Sequence, residues 1–230
     1  MTFQSLPTMR RAILLILKQD GPSELSVLAA RLKVTKEAVR QQLVALDKDG
    51  WVQRETVRRA KARSGRPMAR YSLSPAGDHV FPKAYDALAV EILQTVSGKL
   101  GPEALRKVLA GFAEARVQKW APLLAGKSLP EKLKALKDLY QAKDPFTRVE
   151  ESKDGLRLVE GNCPFLSVAS QQPALCSVTV SALSRLLGVE VVREERFQAG
   201  HGRCVFKVNV DKPLAPGKTG FRWEPAPASK

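Results

Sequence analysis

The sequence predicts an α+β chain. We expect an N-terminal winged helix-turn-helix, central dimerisation helices and a C-terminal α+β domain that carries the cysteines. Three observations lead there. Apolar residues recur at helical spacing in three short segments before Gly50. The period then switches to strand-like alternation on either side of a basic loop. All three cysteines lie in the last third of the chain. The boundaries read as 1–76 for the winged helix, 77–142 for the helical region, 143–212 for the α+β domain and 213–230 for an irregular tail.

The first helix is expected over 8–19, where Ala12, Ile13, Ile16 and Leu17 share a face. Gly21-Pro22 stops it. Ser23 is the expected N-cap of a second helix, with Glu24 in its first turn and Leu25, Leu28, Ala29 and Leu32 on one side. Lys33-Val34 forms the turn, without the glycine common there. Thr35 caps a third helix, Val34 and Val39 form a hydrophobic staple, and Val39, Leu43 and Leu46 continue the buried stripe.

Trp51 to Val57 reads as a strand and Met68 to Leu73 as its partner, with Ser74-Pro75 opening the next helix. Helical spacing returns in Phe81, Tyr85, Leu88 and Ile92, in Leu105, Leu109 and Phe112, and over 129–140. The last third is mixed, with strands near 146–151, 156–160, 189–197 and 203–210 and helices near 164–171 and 174–187.

Charge narrows the function. Lys and Arg outnumber Asp and Glu by 38 to 23, a net charge of +15, which favours a polyanionic partner. No segment reaches the roughly 20 apolar residues of a membrane span. The short run Ala12 to Leu17 has no small-residue cleavage site near it, so a cytoplasmic protein with reduced thiols and no membrane partner is expected.

Three helices followed by a hairpin predict binding to double-stranded DNA, with the third helix in the major groove. Its outward face carries Arg40 and Gln41, whose planar donors suit base edges, with Thr35 and Lys36 placed for phosphate. From Trp51 to Leu73 there are seven basic residues against one acid, so the hairpin is expected to lie along the DNA backbone. Arg58, Arg59 and Arg63 would meet phosphates there. Arg66, between Gly65 and Pro67, would enter the minor groove. Two half-sites would need a homodimer, and the stripe from Phe81 to Ile92 offers either a self-association surface or packing against the 103–118 helix.

The cysteines are spaced C-x12-C-x27-C with no CxxC pair, which argues against a zinc ribbon. Cys163, Cys176 and Cys204 stand at expected helix starts and a strand start, where three thiolates can converge on an iron–sulfur cluster. Spacing alone favours three buried cysteines acting as small hydrophobes. A cluster would need a fourth ligand, for which His201, Glu190, Glu194 and Glu195 are candidates. Other readings stay open: an iron-free repressor responding to a small organic ligand or to thiol oxidation, and an enzyme using Cys163 or Cys204 with His201 as base. No phosphate loop or recognisable acidic pair supports the enzyme, so none is expected.

The chain resembles the SufR-like family of winged-helix repressors of iron–sulfur cluster biosynthesis from about Thr8 to Val210. The weakly specific part is Leu28-Ala29-Ala30-Arg31-Leu32 through Gly50-Trp51-Val52, with Gly65-Arg66-Pro67 and Tyr71-Ser72-Leu73. The specific part is Asn162-Cys163-Pro164-Phe165, Leu175-Cys176, Leu186-Leu187-Gly188-Val189 and His201-Gly202-Arg203-Cys204-Val205-Phe206. The resemblance implies a homodimeric DNA-binding repressor holding a [4Fe–4S] cluster through Cys163, Cys176 and Cys204. It also implies that cluster loss releases DNA. Some relatives carry a fourth cysteine, which this chain lacks.

Overall fold

Ser23 does not cap a helix. It pairs with Tyr71, and Glu24 with Arg70, so a two-residue strand stands where a helix start was expected. The Ser23 hydroxyl donates instead to the Gly21 carbonyl at 3.1 Å. The computed structural model in which this is seen describes residues 3–57, 68–141, 144–152, 155–214 and 221–224. The fold is mixed α+β, in two units: Met1–Lys83 and Ala84–Lys230.

The first unit runs α1 (Thr8–Asp20), β1 (Ser23–Glu24), α2 (Leu25–Leu32), α3 (Lys36–Lys48), β2 (Val52–Val57), β3 (Met68–Leu73) and α4 (Pro75–Asp78). Its sheet is antiparallel in the order β1-β3-β2. Ile13, Leu14 and Leu17 of α1 meet Leu28 of α2, Val39, Leu43 and Leu46 of α3, and Val52 of β2 in one core. The α2–α3 turn is closed by Lys33 in the left-handed conformation, φ 54°, where a glycine would carry no steric penalty. Thr35 caps α3 by accepting from the Ala38 amide at 3.2 Å. Ser74 caps α4 by accepting from the Gly77 amide at 2.9 Å.

Gly77 is fixed by crowding: a Cβ there would stand 1.8 Å from the Trp51 carbonyl oxygen. Phe81 belongs to this unit. Its ring packs on Phe3 at 5.0 Å between centroids, so the expected stripe from Phe81 to Ile92 is not one helix face.

The second unit runs α5 (Tyr85–Leu100), α6 (Pro102–Leu124), α7 (Leu129–Gln141), β4 (Arg148–Ser152), β5 (Gly155–Glu160), α8 (Leu166–Gln171), α9 (Ser177–Leu187), β6 (Val189–Glu195) and β7 (Cys204–Pro213). Its sheet is antiparallel in the order β4-β5-β7-β6. Leu183, Leu186 and Leu187 of α9 pack on Leu158, Phe206 and Val191 of the sheet, together with Leu124, Leu133 and Leu136 of α6 and α7. Helices α6 and α7 therefore share a core with the sheet, inside a compact unit that begins at Ala84.

A second cluster joins Val90 and Leu93 of α5 and Leu105 and Leu109 of α6 to Val168 of α8 and Val178 of α9. The face of α5 that packs on α6 is thus Val90 and Leu93. Tyr85, Leu88 and Ile92 are left 59%, 54% and 53% exposed. Among the described residues, no helix is long and apolar enough to cross a membrane.

The tail beyond Pro213 was expected to be irregular, yet 221–224 is tied into this core. Ser177 accepts from the Glu224 amide at 2.8 Å and Ser181 from the Arg222 amide at 2.9 Å. Ser184, one turn on, accepts from the Val191 amide at 3.0 Å. The buried polar stripe of α9 is therefore satisfied by backbone donors.

Candidate functional site

The three cysteines reach one place from three separate stretches. Cys163 lies in the loop after β5, Cys176 ends the 3-10 turn Pro173–Cys176 before α9, and Cys204 opens β7. All three line a cavity of about 30 Å³ with Glu160, Arg193 and Gln198. The Gln198 amide donates to the Cys176 sulfur at 3.0 Å. Among the described residues no three His, Cys, Asp or Glu side chains are grouped to hold a single metal ion. The thiols surround a space instead of converging on one point.

Asp144 positions the Cys163 loop. It is 2% exposed. Its Oδ2 accepts from the Gly161 and Asn162 amides at 3.0 and 3.1 Å and from the Thr147 hydroxyl at 2.9 Å. Its Oδ1 accepts from the Phe146 amide at 2.9 Å. Gly161 is required in that turn, because a Cβ would stand 2.6 Å from the Phe146 Cβ.

The cavity is electrostatically unusual for thiols. Burial pushes the Cys163 thiol up to about 11 and raises Cys204 as well, the reverse of an activated nucleophile. Arg193 opposes this with a fixed positive charge. Its side chain is 3% exposed, stacks on the Phe206 ring at 4.5 Å and pairs with Glu224 at 3.0 Å. Burial alone would depress the Arg193 pKa, but Glu224, Cys204 and Cys176 outweigh it and lift it above its ordinary value.

Glu160 was not among the sequence candidates, yet it is the carboxylate that lines this cavity. It is 6% exposed. Burial raises its carboxyl to about 7, against the attraction of Arg193 and Arg116. It also faces a neighbouring space of about 110 Å³, lined by Arg116, Trp120, Tyr140 and Cys163.

None of the four expected ligands lines the cavity. Strand alternation turns Val191 and Arg193 of β6 toward the helices, so Glu190 and Glu194 lie on the opposite face. There Glu190 meets Asn209 at 2.8 Å and Arg222 at 3.1 Å, and Glu194 meets Arg157 at 2.7 Å. A register shift follows Arg193, and Glu195 forks onto Arg203 at 2.6 and 2.9 Å. His201 is exposed in a loop, its Nδ1 3.2 Å from the Arg196 backbone.

The expected DNA residues divide in two. Thr35, Lys36, Arg40 and Gln41 are all exposed on α3, opposite buried Val39, Leu43 and Leu46. Arg40 stands 3.8 Å from Glu37 on the same helix. Arg58, Arg59, Arg63 and Arg66 lie outside the described residues.

Between α5, α6, α8 and α9 there is also an apolar groove of about 320 Å³, walled by Ile92, Leu93, Phe112, Phe165, Val168 and Leu175. Comparison with protein-family models, characterised proteins and solved structures finds no match to this chain.

Proposed function

We propose that the chain is a homodimeric winged-helix transcriptional regulator, acting as a repressor, whose grip on double-stranded DNA is set by a [4Fe–4S] cluster at the cysteine cavity. The observation that carries this reading is the convergence of Cys163, Cys176 and Cys204 on one cavity beside a buried arginine. The SufR-like resemblance points the same way.

The donor set fits the cluster. Three soft thiolates suit iron–sulfur ligation, and a cluster spreads its ligands over separate iron atoms, so thiols around a space suit it. The present cavity holds about the volume of one water. Its outer wall is Phe165 and Leu166, 44% and 38% exposed, which can yield outward. When bound, the cluster supplies an oxygen- and iron-sensitive tie between the three cysteine segments. Ligation requires the thiols to lose their protons, and Arg193 offsets the negative charge that results.

The chain's own residues carry the response. The Cys163 and Cys176 segments flank α8 and lead into α9, and Val168 and Val178 of these helices share a core with Val90, Leu93, Leu105 and Leu109. Fixing those segments stiffens α5 and α6. The exposed stripe Tyr85, Leu88 and Ile92 on α5, with Phe112 at 50% exposure on α6, supplies the self-association surface. That pairing sets the spacing at which two copies of α3 meet successive major grooves, with Arg40 and Gln41 on base edges and Thr35 and Lys36 on phosphates.

The iron-free alternative draws on the apolar groove, whose volume falls in the range of small-molecule sites. One experiment separates the two. Anaerobically prepared protein should be coloured and carry iron and sulfide, and Cys163→Ala, Cys176→Ala and Cys204→Ala should each lose the visible absorbance. A colourless wild type, or three variants with full iron, contradicts the cluster.

A further inference from the structure

Three cysteines leave a four-iron cluster one protein ligand short. Resting on the cluster reading above, we infer that Glu160 is the fourth ligand, through a carboxylate oxygen.

The sheet register puts it there. Glu160 is the Cα partner of Cys204 in the β5–β7 ladder, as Leu158 is of Phe206. Directly paired residues of an antiparallel ladder project to the same face, with Cβ atoms about 4.5–5.5 Å apart. Leu158, Cys204 and Phe206 all belong to the core on the helix-covered face. Glu160 is thus delivered beside Cys204 by the ladder itself, not by a loop. Three residues on, the chain presents Cys163 to the same cavity.

A second observation is independent of register. Glu160 is 6% exposed, yet among the described residues no donor hydrogen-bonds its carboxyl. Other buried acids here are fully engaged. Asp144 accepts four hydrogen bonds, and Glu224 holds Arg193. The Glu160 carboxyl lines the thiol cavity with no hydrogen-bond donor on it among the described residues, so an iron held there would engage it. Glu190, Glu194 and Glu195 each hold a basic partner elsewhere, so using any of them would break an existing ion pair. The step is a ligand exchange: an Fe–O bond forms, the water or small thiol it replaces leaves, and any carboxyl proton passes to solvent.

The test uses the full chain, reconstituted anaerobically with ferrous iron and sulfide. Wild type should hold about four irons per chain. Glu160→Gln keeps the side-chain shape but weakens ligation. It should lose one iron on brief exposure to air, giving the EPR signal of a three-iron cluster, and decay at least ~10-fold faster. Glu160→Cys should restore four irons and outlast wild type. Glu195→Gln and His201→Ala should behave as wild type.

Glu160→Gln with wild-type iron content, EPR and lifetime overturns this inference and leaves the cluster reading intact. So does loss of the fourth iron in Glu195→Gln or His201→Ala but not in Glu160→Gln. A wild type that takes up no iron overturns both.

Discussion

Glu224 closes on the guanidinium of Arg193 at 3.0 Å across 31 residues of chain, and both side chains are more than nine-tenths buried. The tail therefore supplies the counter-charge that lets an arginine stand beside three thiols. Glu224→Ala would strand that charge. Loss of one partner of a buried pair costs about 3–5 kcal/mol, so the second unit should unfold at markedly lower urea concentration. An unchanged midpoint would contradict the role given to the pair.

Asp144 makes a second prediction. Asp144→Ala removes four hydrogen bonds, two of them from the Gly161 and Asn162 amides of the turn that presents Cys163. The expected cost is roughly 3 kcal/mol, since the abandoned amides lose a charged partner. The freed loop should also expose Cys163 to alkylation. Mass spectrometry of iodoacetamide-treated protein should show faster labelling at Cys163 than at Cys204.

In the first unit, Gly77→Ala would drive a methyl into the Trp51 carbonyl. Backbone must move, and overpacking of this kind costs at least ~1–3 kcal/mol. Thermal unfolding should show it as a lower midpoint, with the second unit unaffected.

Asp78 gives a pH dependence. Hydrogen bonds from Lys18 and Lys83 hold its carboxyl at about 2, below the 3.8 of the unfolded chain. A depressed acid adds stability that is complete above the unfolded value and is lost as pH falls through the folded one. Wild type should therefore exceed Asp78→Asn in stability near neutral pH, and the two should converge toward pH 2. A gap that persists in acid would contradict the pairing.

Much of this was legible in the sequence. Ile13, Ile16 and Leu17 of α1 and Val39, Leu43 and Leu46 of α3 follow from local periodicity and are buried, whereas Ala12 and Val34 are only half-buried and Leu14 joins the core from outside the expected stripe. What escaped was non-local. Ser23 and Glu24 look like a helix start until β3 is beside them. Phe81 has the right spacing for α5 but packs on Phe3. The choice among carboxylates turned on strand alternation and register, which no short pattern carries. Glu160 lies three residues before Cys163, close enough to have been considered, but its pairing with Cys204 is visible only in the sheet. Glu224 sits in a proline-rich tail whose composition suggests no packing.

On DNA, exposed Arg40 and Gln41 should separate from Lys36. Arg40→Ala or Gln41→Ala should cost about 1–3 kcal/mol on the preferred sequence and little on random duplex. Lys36→Ala should weaken both alike and lower the salt slope by about 1.

The most direct test is the affinity of one protein preparation for a duplex selected from a random pool, before and after the cluster is stripped with chelator. A coupling of about 1–3 kcal/mol predicts that stripping weakens binding roughly 5- to 150-fold. Equal affinity in the two forms, or failure of the pool to yield any preferred sequence, would contradict the account.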